Sequence, residues 1–108
     1  MSDEKVTFLG VDRKLYEYWV YPLGTNFADK PGNYAFAKRG SSRIEPTYFG
    51  ETESLKTRLN DNEHERLACA KRNGATLICA HTNGSGRDAR LAEVKALRDA
   101  YDPPCNRQ

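Results

Sequence analysis

No apolar run in this chain approaches the roughly 18 consecutive residues needed to cross a bilayer, so the sequence predicts no membrane-spanning helix. The acidic start Ser2-Asp3-Glu4-Lys5 is the wrong flank for a secretory signal, and a cytoplasmic location is expected. Cysteine is scarce: three residues, an odd number, are too few and too scattered for a disulfide framework, and reduced thiols are the simpler expectation. His64, Cys69, Cys79, His81 and Cys105 contain no C-x-x-C pair and match no common structural zinc spacing, so no zinc is expected. Cys69 and Cys79 sit in apolar runs and read as small hydrophobes. Charge of one sign is also lacking. Seventeen basic residues against fifteen acidic ones leave a net charge of +2, which neither demands nucleic acid nor excludes it. Internal repeats and low-complexity stretches are absent.

What is present fits one modest domain. At 108 residues there is too little apolar material for two cores. Residues 1–30 read as an N-terminal strand extension packed on the same core as residues 31–108. Val6 to Val11 is compatible with a short strand, and Leu15 to Tyr21 is a stronger one, largely aromatic on both faces. Trp19 is expected inside, because a domain this small needs its only Trp for the core. The alternative is a stacking platform for single-stranded bases.

Gly32 to Arg58 organises the chain. Tyr34, Phe36 and Lys38 alternate with Ala35 and Ala37, and Ile44 to Phe49 is β-branched and aromatic, so the two segments read as a hairpin turning at Gly40-Ser41-Ser42. Thr52 is a good N-cap for a helix whose Leu55 and Leu59 face the core, with Arg58 at the edge of that face. Two phenols, Tyr34 and Tyr48, and one guanidinium are thereby expected to gather around a phosphate; the plain alternative is two hairpin aromatics and a surface charge. A second helix is expected from about Glu63 through Arg72, after a break at Asn60-Asp61-Asn62 and ending at Asn73-Gly74. Ala75 to His81 reads as a central strand. The loop Thr82 to Gly86 reads as a connector, and Ser85-Gly86-Arg87-Asp88 has capping-box spacing before a last helix with the stripe Leu91, Val94, Leu97 and Tyr101. The fold class expected is α/β of the α+β kind, a small, mostly antiparallel sheet flanked by about three helices.

Gly32-Asn33-Tyr34 and Tyr48-Phe49-Gly50, in that order, with Arg58 following and Pro103-Pro104-Cys105-Asn106 near the C-terminus, resemble the GIY-YIG nuclease family. The resemblance covers roughly Pro31 to Asn106. It implies a GIY-YIG-like fold and hydrolysis of phosphodiester bonds in nucleic acid, DNA above all, with Mg2+ or Mn2+. In that scheme Tyr48 or Tyr34 helps deprotonate water, Arg58 holds the phosphate and Asn106 braces the site. The metal carboxylate of the family precedes the terminal Asn by about twelve positions, which lands here on Val94, with Glu93 beside it as the available ligand. Family members often carry a histidine one turn after the arginine; here that position is Asn62, with His64 two residues on and read as an exposed residue at a helix start. Lys38, Arg39, Arg43, Lys56 and Arg58 are the expected nucleic-acid contacts, against the plain reading of a solvated surface that also includes Arg66, Lys71, Arg72, Arg87 and Arg90. Two functions follow from the resemblance. One is a metal-dependent endonuclease; the other is a relative that keeps the fold and binds nucleic acid or a protein partner without cutting, and a protein partner supplying specificity fits either.

Overall fold

A computed structural model describes residues 4–60 and 64–107. Five strands, β1 (Lys5–Leu9), β2 (Leu15–Pro22), β3 (Gly32–Arg39), β4 (Ile44–Thr52) and β5 (Leu77–Thr82), form one sheet in the order β1-β2-β5-β3-β4. Every pairing is antiparallel. With helices α1 (Leu55–Leu59), α2 (Leu67–Arg72) and α3 (Arg87–Tyr101), this is the α+β class expected. No helix among the described residues is long and apolar enough to cross a membrane.

Strand alternation divides the sheet into two faces. Tyr34 and Phe36 point toward α1 and α2, into a core with Leu55, Leu59, Leu67, Ala70 and Ile78. Ala35 and Ala37 point the other way, into a second core of Phe8, Tyr18, Val20, Phe49, Cys79 and Leu97 beneath α3. The sheet curls around that second core. A flat sheet would hold its outermost strands about 19 Å apart, at about 4.8 Å per strand, yet the rings of Phe8 on β1 and Phe49 on β4 are 5.2 Å apart in an edge-to-face contact. Tyr101, at the end of α3, sits against both rings, and its hydroxyl oxygen accepts a bond from Leu9 N–H on β1 at 3.1 Å.

Several sequence expectations need correction. Thr52 ends β4, and the cap of α1 is Ser54, whose hydroxyl accepts from Thr57 N–H; Leu55 and Leu59 are buried as expected. The expected start of the second helix at Glu63, like Asp61 and Asn62, lies outside the described residues, and α2 runs Leu67–Arg72 before the turn at Asn73-Gly74. Gly86 rather than Ser85 caps α3, at φ +107°, with no side-chain bond, because the loop turns on Asn83, whose side-chain oxygen accepts from Ser85 N–H. The stripe assigned to α3 is rotated: Leu91 is exposed and the buried face carries Arg90, Glu93, Ala96 and Leu97. Trp19 is 39% exposed, since the short helix α1 borders a cavity beside it and leaves the indole partly uncovered. Finally, Cys69 and Cys105 form a disulfide, with Cα atoms 5.9 Å apart. The C-terminal 3-10 turn, Pro104–Asn106, folds back beside α2, a proximity that a sequence separation of 36 conceals. Cys79 is free, fully buried and apolar in its surroundings, which push its thiol up to about 12.

Candidate phosphate-binding site

The hairpin register decides which side chains meet. Tyr34 on β3 pairs with Gly50 on β4, and Phe36 pairs with Tyr48. Tyr34 lies across Gly50, and the Tyr34 and Tyr48 rings are 6.2 Å apart. Gly32, paired with Thr82, approaches the His81 carbonyl so closely that a side chain there would collide with backbone. Both glycines of the two tripeptides are thus needed for close approach. α1 then brings Arg58 over the hairpin, where its Nε–H reaches the Tyr34 hydroxyl oxygen at 3.4 Å, a long bond. Tyr34, Tyr48 and Arg58 therefore lie on one face of the sheet, but Tyr34 is sealed under packing, with its hydroxyl engaged by His64 and Arg58, so the two phenols do not open together onto a phosphate as the sequence predicts.

The fourth member of the cluster is His64, which is 6% exposed rather than a surface residue. Its ring packs edge-on against Tyr34, Phe36 and Tyr48. Nδ1 accepts a bond from Arg66 N–H at 2.9 Å, so in the neutral ring the proton sits on Nε2 and is donated to the Tyr34 oxygen 2.6 Å away. Burial, then the Arg58 charge, lowers the His64 pKa to about 4, which makes the neutral ring the form present at pH 7. Tyr34 itself is 1% exposed. Burial and the neighbouring Tyr48 raise its pKa by more than Arg58 lowers it, so Tyr34 remains a neutral phenol. Arg58 is partly exposed, and its outer nitrogen forms an ion pair with the exposed carboxylate of Glu65.

Glu93 does not join this cluster. It projects from α3 onto the opposite face of the sheet, 5% exposed, where one carboxylate oxygen accepts from the Tyr18 hydroxyl at 2.6 Å and meets His81 Nε2 at 2.7 Å. His81 Nδ1 lies 2.9 Å from the Thr82 carbonyl, which can only accept. With acceptors at both nitrogens, the surroundings of His81 favour its charged form; burial opposes the charge, but the bond to Glu93 and its charge outweigh it and raise the pKa. The Asn83 side-chain amide donates to both Glu93 and Asn33. Nearby, Arg90, 4% exposed, donates to Glu51 at 3.0 Å. Val94 packs against the same core beneath α3.

Asn106 is also committed elsewhere. Its side-chain oxygen accepts from Phe49 N–H at 2.8 Å and its amide donates to the Phe49 carbonyl at 3.0 Å, which satisfies the outer edge of β4 between Tyr48 and Gly50. The expected basic contacts do not form one patch. Lys38 lies beside Gly74, after α2, and pairs with Glu45; Arg39 makes a two-pronged pair with Glu4; Arg43 lines the cleft between β1 and the hairpin turn. Lys56 is exposed on α1 and shares that helix with Arg58. His64, Glu65, Tyr18 and Asn60 are the contributors that sequence reasoning missed as site or framework residues. For His64 the signal was its place two residues past the expected family position. No group of three or more potential metal ligands occurs among the described residues. Comparison of the chain with family models, with curated proteins and with solved structures finds no match.

Proposed function

We propose that this chain is a nucleic-acid-binding module, resembling the GIY-YIG domain in its hairpin and first helix, that takes a backbone phosphate on Arg58 and does not cut through a metal at that position. The observation that carries this reading is the meeting of Arg58 with Tyr34 and Tyr48 on one face of the sheet while Glu93 is committed on the other. The Arg58–Glu65 pair marks an anion position. It is an exposed pair of the kind worth at most about 1 kcal/mol, so a phosphate, which suits the guanidinium fork at least as well, can replace the Glu65 carboxylate. Tyr34 and neutral His64 then act as a rigid support for Arg58.

The Mg2+ or Mn2+ implied by the resemblance does not fit the donors around Arg58. These are two phenols, a neutral imidazole, a cation and one exposed carboxylate; Mg2+ or Mn2+ is held through one or two carboxylates together with phosphate oxygens and waters, and the carboxylate here, Glu65, is already paired with the Arg58 cation, which would repel a second one. A buried neutral phenol at Tyr34 is also a poor base for water. The endonuclease reading is favoured by one thing, the close-approach glycines at both tripeptides, and differs in a measurable way. Nicking of supercoiled DNA with Mg2+ or Mn2+ is expected to be absent for the native protein, whereas retarded migration of the same DNA is expected and is weakened by Arg58→Ala. Native nicking abolished by Arg58→Ala and by Glu93→Gln would establish the endonuclease instead.

A further inference from the structure

Resting on the reading just proposed, we infer that the cavity between Trp19 and α1 is a stacking site for one unpaired base of a single-stranded nucleic acid, whose adjoining phosphate runs toward Arg58. On β2, Trp19 stands between Lys5 on one neighbouring strand and Ala80 on the other. The small Ala80 leaves a cavity of about 320 Å3 beside the indole, walled by Tyr21, Phe27 and Leu55 with Lys30 at the rim. That volume is at the small end of ligand sites, suited to a single planar group. The rings of Tyr21 and Phe27 meet edge to face at 5.2 Å, so a second part of the wall is also aromatic.

The wall is held in place before any ligand arrives. Phe27 N–H donates to the Asn60 side-chain oxygen at 2.7 Å, the Asn60 amide donates back to the Phe27 carbonyl at 3.1 Å, and Leu55 N–H donates to the Lys30 carbonyl at 2.9 Å. These bonds tie the β2–β3 connection to both ends of α1, which lowers the ordering cost of binding. Charge selects the occupant. Among the described residues no carboxylate lines the cavity, Lys30 stands at its rim, and Lys5 Nζ, which also pairs with Glu17 at 3.5 Å, lies 4.6 Å from the centre of the Trp19 ring. An aromatic slot with cations at its edge suits a base bearing a phosphate. Leu55 also links the two sites: Arg58 is its neighbour one helical turn along α1, about 5–6 Å between Cβ atoms, with exposed Lys56 between them in sequence.

Trp19 is the sole tryptophan and reports on the cavity directly. The test titrates native protein with a single-stranded oligodeoxynucleotide of about 12 nucleotides, with the same sequence as a duplex, and with a free mononucleotide, following tryptophan emission. Anisotropy of a labelled copy of the single strand gives the affinity of each variant. The single strand is expected to quench saturably and the duplex not. Trp19→Ala is expected to weaken binding about ten-fold or more, and Trp19→Phe to retain it within a few-fold. If the strand binds, and binds more weakly to Arg58→Ala, while Trp19 emission is unmoved and Trp19→Ala matches the native protein, the stacking site is overturned and the phosphate reading stands. Quenching by the mononucleotide but not by the strand overturns it too. If no strand binds at all, both readings fall together.

Discussion

Tyr34 lies across Gly50 on the neighbouring strand, and a side-chain carbon at Gly50 would stand 2.5 Å from the Tyr34 hydroxyl oxygen. The ring cannot stay where it is if that carbon is added. Gly50→Ala is therefore expected to displace Tyr34, break its contact with His64 and destabilise the fold by about 1–3 kcal/mol. Chemical denaturation measures the loss, and the His64 ring resonances are expected to shift as Tyr34 moves. An unchanged midpoint with unchanged His64 resonances would refute the packing described for this hairpin.

The two histidines are expected to titrate on opposite sides of the ordinary value. His64 is buried neutral, with a folded pKa of about 4 against about 6.5 in the unfolded chain. Its contribution is complete above pH 6.5 and is lost as the pH falls from 6.5 toward 4, because the unfolded chain takes up a proton there that the folded one refuses. The linkage is on the order of 3 kcal/mol. His81 has the reverse sign: its pKa is raised by Glu93, so its stabilisation is complete below the unfolded value and is lost as the pH rises through the folded one. The chain has only these two histidines, so proton NMR resolves both curves. Glu93→Gln is expected to lower the His81 midpoint and leave that of His64 in place, since the two rings lie on opposite faces of the sheet.

Reduction of Cys69–Cys105 is expected to cost roughly 3–4 kcal/mol, the loop-closure value for a separation of this length. The effect should reach β4. Asn106 stands next to Cys105 and holds the Phe49 backbone on the outer edge of the sheet, so Cys105→Ser is expected to speed hydrogen exchange at Phe49 more than at the central strand β5. Equal protection of Phe49 in the native protein and the variant would show that the turn holds without the bridge.

The hairpin, the central strand and the placement of Tyr34, Tyr48 and Arg58 on one face were legible because each rests on local alternation or on short helical spacing. What stayed hidden depends on the curl of the sheet. Arg90 reads as one more surface charge, yet it is buried because Glu51, on β4, is folded beneath α3 to receive it. Glu93 reads as one residue off an apolar stripe; the helix rotates to bury it because Tyr18 and His81 supply polar partners, and Leu91 is left outside in exchange. Trp19 was misplaced by a rule about small cores. Phe8, Phe49 and Tyr101 fill the curled face instead, and on the other α1, of five residues, borders a cavity beside the indole and leaves it partly uncovered.

The salt dependence of single-stranded DNA binding, compared between the native protein and Arg58→Ala, tests the central claim most directly. If Arg58 takes a backbone phosphate, log K falls linearly with log salt for the native protein, and the variant binds more weakly with a slope shallower by about 0.7, the value for one phosphate contact on a single strand. Native protein and variant binding with the same slope and affinity, or native protein showing no salt-dependent binding, would contradict the assignment of Arg58 as the phosphate ligand.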